Sequence, residues 1–159
     1  MNEEIIQRFY TAFQKLDYKT MQDCYSQDII FNDAVFGVLQ GDEARAMWEM
    51  LCKQAKSFSL TFSDIRLLDE EYATCNWTAT YTFSKTGRPV VNNVKAHMRI
   101  QDNKITEHTD QFNLYKWCRQ ALGLPGVLLG WSSLLQNKIR KQARTNLRKF
   151  MKEGLGVRY

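Results

Sequence analysis

Residues 104–115, KITEHTDQFNLY, hold two incompatible strand patterns in one short run. Ile105 opens an alternation whose buried members are odd-numbered, whereas Phe112 and Leu114 require even-numbered ones. Side chains in a strand alternate with a period of two, so a change of parity demands one inserted residue. The insertion is expected near Thr106–Glu107. Just upstream, Asp102-Asn103 predicts a two-residue hairpin turn. The run before it, residues 90–100, sets Val90, Val94, Ala96, Met98 and Ile100 on one face. Pairing the two runs through the bulge turns His108 and Asp110 toward Val94, Ala96 and Met98. His97, the other of the two histidines, is left outside.

A histidine and a carboxylate beside apolar residues form either a solvated sheet edge or the lining of a pocket. The segment IIFNDAVFG favours the pocket, because Phe31 and Asp33 also share a parity. Asp33 equally suits a turn cap, since Gly37 follows closely.

Outward from these runs the organisation is legible. Residues 73–83 place Ala, Cys, Trp, Ala, Tyr and Phe at odd positions, separated by Thr and Asn, a strand with one buried face. Residues 58–68 are a more weakly patterned strand. Ahead of them, Ile5, Phe9, Ala12, Phe13 and Leu16 recur at helical spacing behind two first-turn glutamates. A short helix is expected over residues 18–25, then a strand ending at Gly37. A third helix starts at Gly41-Asp42 and presents Ala44, Met47, Trp48, Leu51 and Cys52. Three helices around one strand, followed by an antiparallel meander, predict an α+β domain.

Charge divides the chain. Residues 116–159 hold ten Lys/Arg against one acid, a net of +9, whereas the first 115 residues hold 12 basic and 16 acidic side chains, a net of −4. An acidic body therefore precedes a basic extension. In that extension an apolar segment, 116–131, is broken by Pro125-Gly126. Residues 132–153 predict an amphipathic helix with Leu135, Ile139, Ala143, Leu147, Phe150 and Met151 on one stripe. The helix is expected to pack on the body or in a homodimer, with contact to an anionic membrane surface as the rival reading. Nucleic acid is not an expected partner, because no binding module accompanies the charge. Four widely spaced cysteines show no metal-ligand or disulfide pattern, and the acidic opening Met-Asn-Glu-Glu does not read as the basic start and apolar core of a signal peptide. These features predict free thiols, a cytoplasmic setting, and neither metal nor cofactor.

The runs IIQRFYTAFQKLDYKTMQDCYSQDIIFND and MRIQDNKITEHTDQF, with Trp48 on the helix between them, resemble the SnoaL-like and ketosteroid-isomerase-like branch of the nuclear transport factor 2-like superfamily. The resemblance covers about residues 3–115, so residues 1–115 are expected to be the domain and 116–159 a helical extension packed on it. It implies a strongly curved, mostly antiparallel sheet, wrapped by N-terminal helices into a cone with an additional C-terminal helix. A small apolar molecule would occupy that cone. In the isomerases the general base falls at Asp33, the oxyanion-hole tyrosine at Phe9 and the neutral acid at Ala96. Phe9 and Ala96 cannot donate hydrogen bonds, although Tyr10 adjoins the first. In the cyclases the catalytic aspartate falls at Asp110 and a histidine at Ala96, next to His97.

The resulting expectation is a cofactor-independent isomerase, cyclase or hydrolase acting on a small carbonyl or epoxide-type molecule. Asp110 or Asp33 would be its general base and His108 an acid or an orienting partner. The predicted pocket lining is Tyr10, Phe31, Trp48, Trp77, Tyr81, Ala96, Met98 and Phe112. The alternative is a non-catalytic binding protein, or a lipid-surface module, using the same cone as a cup.

Overall fold

The computed structural model describes residues 2–154. Helix α1 (Asn2–Gln14) carries Glu3 and Glu4 in its first turn and buries Ile5, Ile6, Phe9, Tyr10, Ala12 and Phe13. Helix α2 (Tyr18–Cys24) is started by Asp17, whose carboxylate accepts from Thr20 N at 3.2 Å and Thr20 Oγ1 at 2.6 Å. It stops one residue earlier than the periodicity suggests. Tyr25 instead opens strand β1 (Tyr25–Asp33), and this boundary matters for the site.

The predicted strand ending at Gly37 is two strands. Asp33 closes β1, residues 34–36 turn, and Gly37 begins β2 (Gly37–Gln40). Gly37 has φ +68°, a backbone region open mainly to glycine, so the residue taken as a stop is the hairpin's pivot. Helix α3 (Asp42–Gln54) follows, burying Ala44, Met47, Trp48, Met50 and Cys52.

Strands β3 (Ser59–Leu67), β4 (Tyr72–Phe83), β5 (Arg88–Gln101) and β6 (Lys104–Gln111) form the meander. The sheet is open, with order β2-β1-β6-β5-β4-β3. Among the described strands only β1 and β6 run parallel. The sheet is therefore mixed although mostly antiparallel, and chain-order reasoning gave no sign of that one parallel pair. The inner face is as the parities require: Ala73, Cys75, Trp77 and Ala79 of β4, and Val90, Val94, Ala96, Met98 and Ile100 of β5, are all buried. Together with the helices, this makes the α+β cone.

The inserted residue is Thr106. Ile100 pairs with Ile105, whereas Arg99 pairs with Glu107, leaving Thr106 opposite nothing. Asp102 and Asn103 in the preceding turn both have positive φ, 51° and 59°, as a two-residue hairpin needs. Beyond the bulge Met98 faces His108 and Ala96 faces Asp110. His97 lies on the other side against Gln111, 3.1 Å from its Oε1.

The broken apolar segment is two short helices, α4 (Leu114–Leu122) and α5 (Leu124–Leu129), with Pro125 in the first turn of α5. Helix α6 (Ser133–Gly154) buries Leu147, with Ala143, Phe150 and Met151 packed against the core. Two of its arginines clasp the β1–β2 hairpin. Arg140 Nε donates to Ala34 O at 2.8 Å and Arg144 Nε to Phe36 O at 2.7 Å. No described helix is long and apolar enough to cross a membrane.

Candidate functional site

The bulge and the β1–β6 pairing together build a polar chain inside an apolar core. His108 is fully buried, and the rings of Phe9, Phe31 and Tyr25 meet it edge-on at 5.3–6.0 Å between centroids. Trp48 stacks on it at 6.0 Å.

Giving every donor an acceptor assigns the direction of the chain for a neutral His108 ring. An indole N–H only donates, so Trp48 Nε1 gives its proton to Tyr25 Oη at 2.8 Å. The Tyr25 hydroxyl then donates its own to His108 Nδ1, 2.7 Å away. With Nδ1 accepting, the His108 proton is on Nε2, which donates to Asp110 Oδ1 at 2.8 Å. Trp77 Nε1 donates to the same oxygen at 3.2 Å. Both nitrogens of His108 are engaged and its ring has no exposed surface, so it has no lone pair to offer a ligand. Among the described residues Asp110 Oδ2 takes no hydrogen bond, and the side chain keeps a little exposure.

The parallel pairing brings in the second carboxylate. Phe31 pairs with His108 and Asn32 with Thr109, so one step further sets Asp33 alongside Asp110, on the same face of the neighbouring strand. Asp33 is half-buried, and its Oδ1 accepts from Val35 N at 2.9 Å and Phe36 N at 2.6 Å. The turn cap and the position beside the core thus coexist in one residue. Burial pushes the Asp33 carboxyl up to about 6. The Phe36 amide pulls against that rise, and the Asp110 charge adds to it.

Tyr10 completes the group. It lies against Trp77, 6.2 Å between centroids, and stacks with Phe62. Its hydroxyl is buried without a hydrogen-bond partner among the described residues. Burial, and then the charge of Asp110, holds it well above the ordinary tyrosine value, so it remains an O–H donor. Tyr25 is held protonated in the same way, by burial first and the Asp110 charge second.

Of the other residues singled out from the sequence, Phe31, Trp48, Trp77, Ala96 and Met98 are buried in this core. Phe112 packs at its margin, as does Tyr81, whose hydroxyl accepts from Trp117 Nε1 at 2.7 Å. Tyr25 was not among them, because helical periodicity had absorbed it into α2. Its signal was the break in that periodicity, a large aromatic between Cys24 and the polar run Ser26-Gln27-Asp28. All four cysteines are free and buried, with burial raising Cys75 to about 11 and Cys52 to about 12. Among the described residues no cluster of His, Cys, Asp and Glu could hold a metal ion.

An open, mostly antiparallel sheet wrapped by helices defines the class, the nuclear transport factor 2-like cone. The SnoaL-like domain profile matches residues 6–108, and the chain belongs to that family. Three solved structures share the fold. A ketosteroid isomerase-like protein from Catenulispora acidiphila, crystallised with trimethylamine, has a TM-score of 0.67 at 16% identity, over 78% of this chain and 95% of its own. IdmH, a candidate polyketide cyclase from Streptomyces antibioticus, has a TM-score of 0.65 at 18% identity, over 78% and 99%. A candidate polyketide cyclase from Pseudomonas putida has a TM-score of 0.64 at 21% identity, over 76% and 98%. No curated protein matches the sequence.

Proposed function

We propose that this protein takes a small, largely apolar carbonyl compound into its cone and removes a proton from the carbon next to the carbonyl, with Asp110 as general base. The observation that carries this reading is the asymmetric treatment of the Asp110 carboxylate. One oxygen is held by His108 and Trp77, while the other takes no hydrogen bond among the described residues. A base fixed in orientation but with a free oxygen is poised for proton transfer. The nearby Tyr10 hydroxyl, buried and without a partner among the described residues, is a donor for the oxygen on which charge develops. It offers what Phe9 and Ala96 cannot. His108 acts as a positioning residue that holds Asp110, and Asp33 helps orient the ligand at the rim. The reaction class is isomerisation or cyclisation, run in the cytoplasm without a cofactor.

A non-catalytic cup is the competing reading. It has support from the trimethylamine bound by the Catenulispora acidiphila protein of the same fold. The two are separated by identifying the small molecules that copurify with the protein, then following deuterium uptake at the carbon beside their carbonyl in heavy water. Asp110→Asn should keep the fold and the ligand and slow exchange by about 10²–10⁴-fold, with a smaller loss for His108→Ala. Ligand retention with no catalysed exchange in the unmodified protein leaves the cup.

A further inference from the structure

We infer that α5 and the outward stripe of α6 form a docking surface for anionic lipid bilayers, independent of the chemistry in the cone. Six large apolar side chains crowd an eleven-residue stretch with little cover. Leu128 is 60% exposed, Trp131 70% and Leu134 83%, with Leu124, Val127 and Leu129 also exposed. A monomer seldom leaves so dense an apolar cluster in water without a use for it.

The way α5 docks explains why these side chains point outward. It sits on α4 through its glycines rather than its leucines. A Cβ on Gly126 would lie 2.0 Å from the Cys118 carbonyl oxygen, and one on Gly130 would lie 2.9 Å from Cys118 Cβ. The glycine edge of GVLLG is therefore the packed edge, and the branched residues between the two glycines are turned away from the body.

Helix α6 extends this patch with positive charge. Its apolar stripe is already used, because Ala143, Leu147, Phe150 and Met151 pack on the core, so that stripe is closed to any other partner. On the opposite face Leu134, Lys138, Lys141 and Arg148 recur at i, i+4, i+7 and i+14, all exposed, with exposed Lys149 beside them. The result is an apolar tip leading into a basic track about 20 Å long at 1.5 Å rise per residue. The only acid from residue 116 onward is Glu153, and the body carries a net of −4. This charge asymmetry turns the tip and track, rather than the body, toward an anionic surface. Exposed Trp and Leu beside Lys and Arg match the boundary between headgroups and acyl chains, whereas nucleic acid would leave the leucines unexplained.

The test is flotation of the full chain with vesicles of phosphatidylcholine alone and with roughly 30 mol% phosphatidylserine added. Binding should be at least about tenfold tighter to the anionic vesicles and should weaken with salt. Trp131 is the most exposed tryptophan, with Trp48 and Trp77 buried and Trp117 half-buried, so emission should shift to the blue on binding. Leu128→Ser with Leu129→Ser, and separately Lys138→Glu with Lys141→Glu, should each cost about tenfold or more while leaving the circular dichroism unchanged. Absence of binding to anionic vesicles overturns the inference. So does a homodimer that the leucine pair dissociates, since a second copy would then cover this face.

Discussion

His108 Nε2 lies 2.8 Å from Asp110 Oδ1, with the two residues on one strand and one face, and both are buried. A single extra residue, Thr106, decides this. Without the bulge the strand would carry both side chains to the outer face, where His97 lies. The pair is tied through Tyr25 to Trp48, so a geometric accident of β6 becomes a hydrogen-bonded chain across the core.

Tyr25→Phe should destabilise the protein more than an ordinary loss of one hydroxyl. It strands two buried groups, Trp48 Nε1–H and His108 Nδ1, at about 1–3 kcal/mol for each left unsatisfied. Urea unfolding measures the sum, and the ¹⁵N shift of His108 Nδ1 should move to that of an acceptor without a hydrogen bond in the variant, while Nε2 keeps its proton against Asp110. A change under about 0.5 kcal/mol with the Nδ1 shift unmoved would mean the chain is not structural.

Asp33→Asn should change the pH dependence of stability in a defined direction. The folded carboxyl titrates near 6 and the ordinary value is 3.8. Between these values the unfolded chain has lost its proton and the folded one retains it, so the parent loses stability as pH rises from about 4 to about 6. The loss is at most about 3 kcal/mol at about 1.4 kcal/mol per pH unit, reduced by whatever solvent reaches this half-buried group. Asparagine keeps an oxygen for the Val35 and Phe36 amides and carries no charge. The variant should therefore match the parent at pH 4 and exceed it at pH 7.5, read from denaturant midpoints at the two pH values.

Leu147→Ala should cost about 2–5 kcal/mol, the usual range for truncating a buried leucine. Leu147 is the buried residue of α6, at 2% exposure. A loss of that size in thermal or urea unfolding shows that the basic helix is part of the folded unit. A neutral result shows that it rides on the surface.

Gly126→Ala should pry α5 from α4, because the added methyl would sit 2.0 Å from the Cys118 carbonyl oxygen. Backbone has to move to relieve such a contact, at about 1–3 kcal/mol or more. Hydrogen exchange should become faster in α4 and α5 and remain unchanged in β4 and β5.

The periodicities of the sequence determined the helices α1, α3 and α6, the meander β3–β6 and the bulge. Each rests on a local conflict or repeat, such as Ile105 against Phe112, that only one backbone path resolves. Local pattern likewise placed His108 and Asp110 beside Met98 and Ala96. Three things lay beyond it, all depending on neighbours distant in the chain. Parallel pairing of β1 with β6 sets Asp33 next to Asp110, and no alternation within either strand encodes which strand lies alongside. The hydroxyl of Tyr25 joins His108 to Trp48 across 83 and 23 residues of sequence. The docking of α5 by its glycines, rather than by its leucines, was settled by the close approach of Cys118. Periodicity reports which face of an element is apolar. What that face meets is decided when the elements pack, and here packing chose the partner strand, the phenol and the glycine edge.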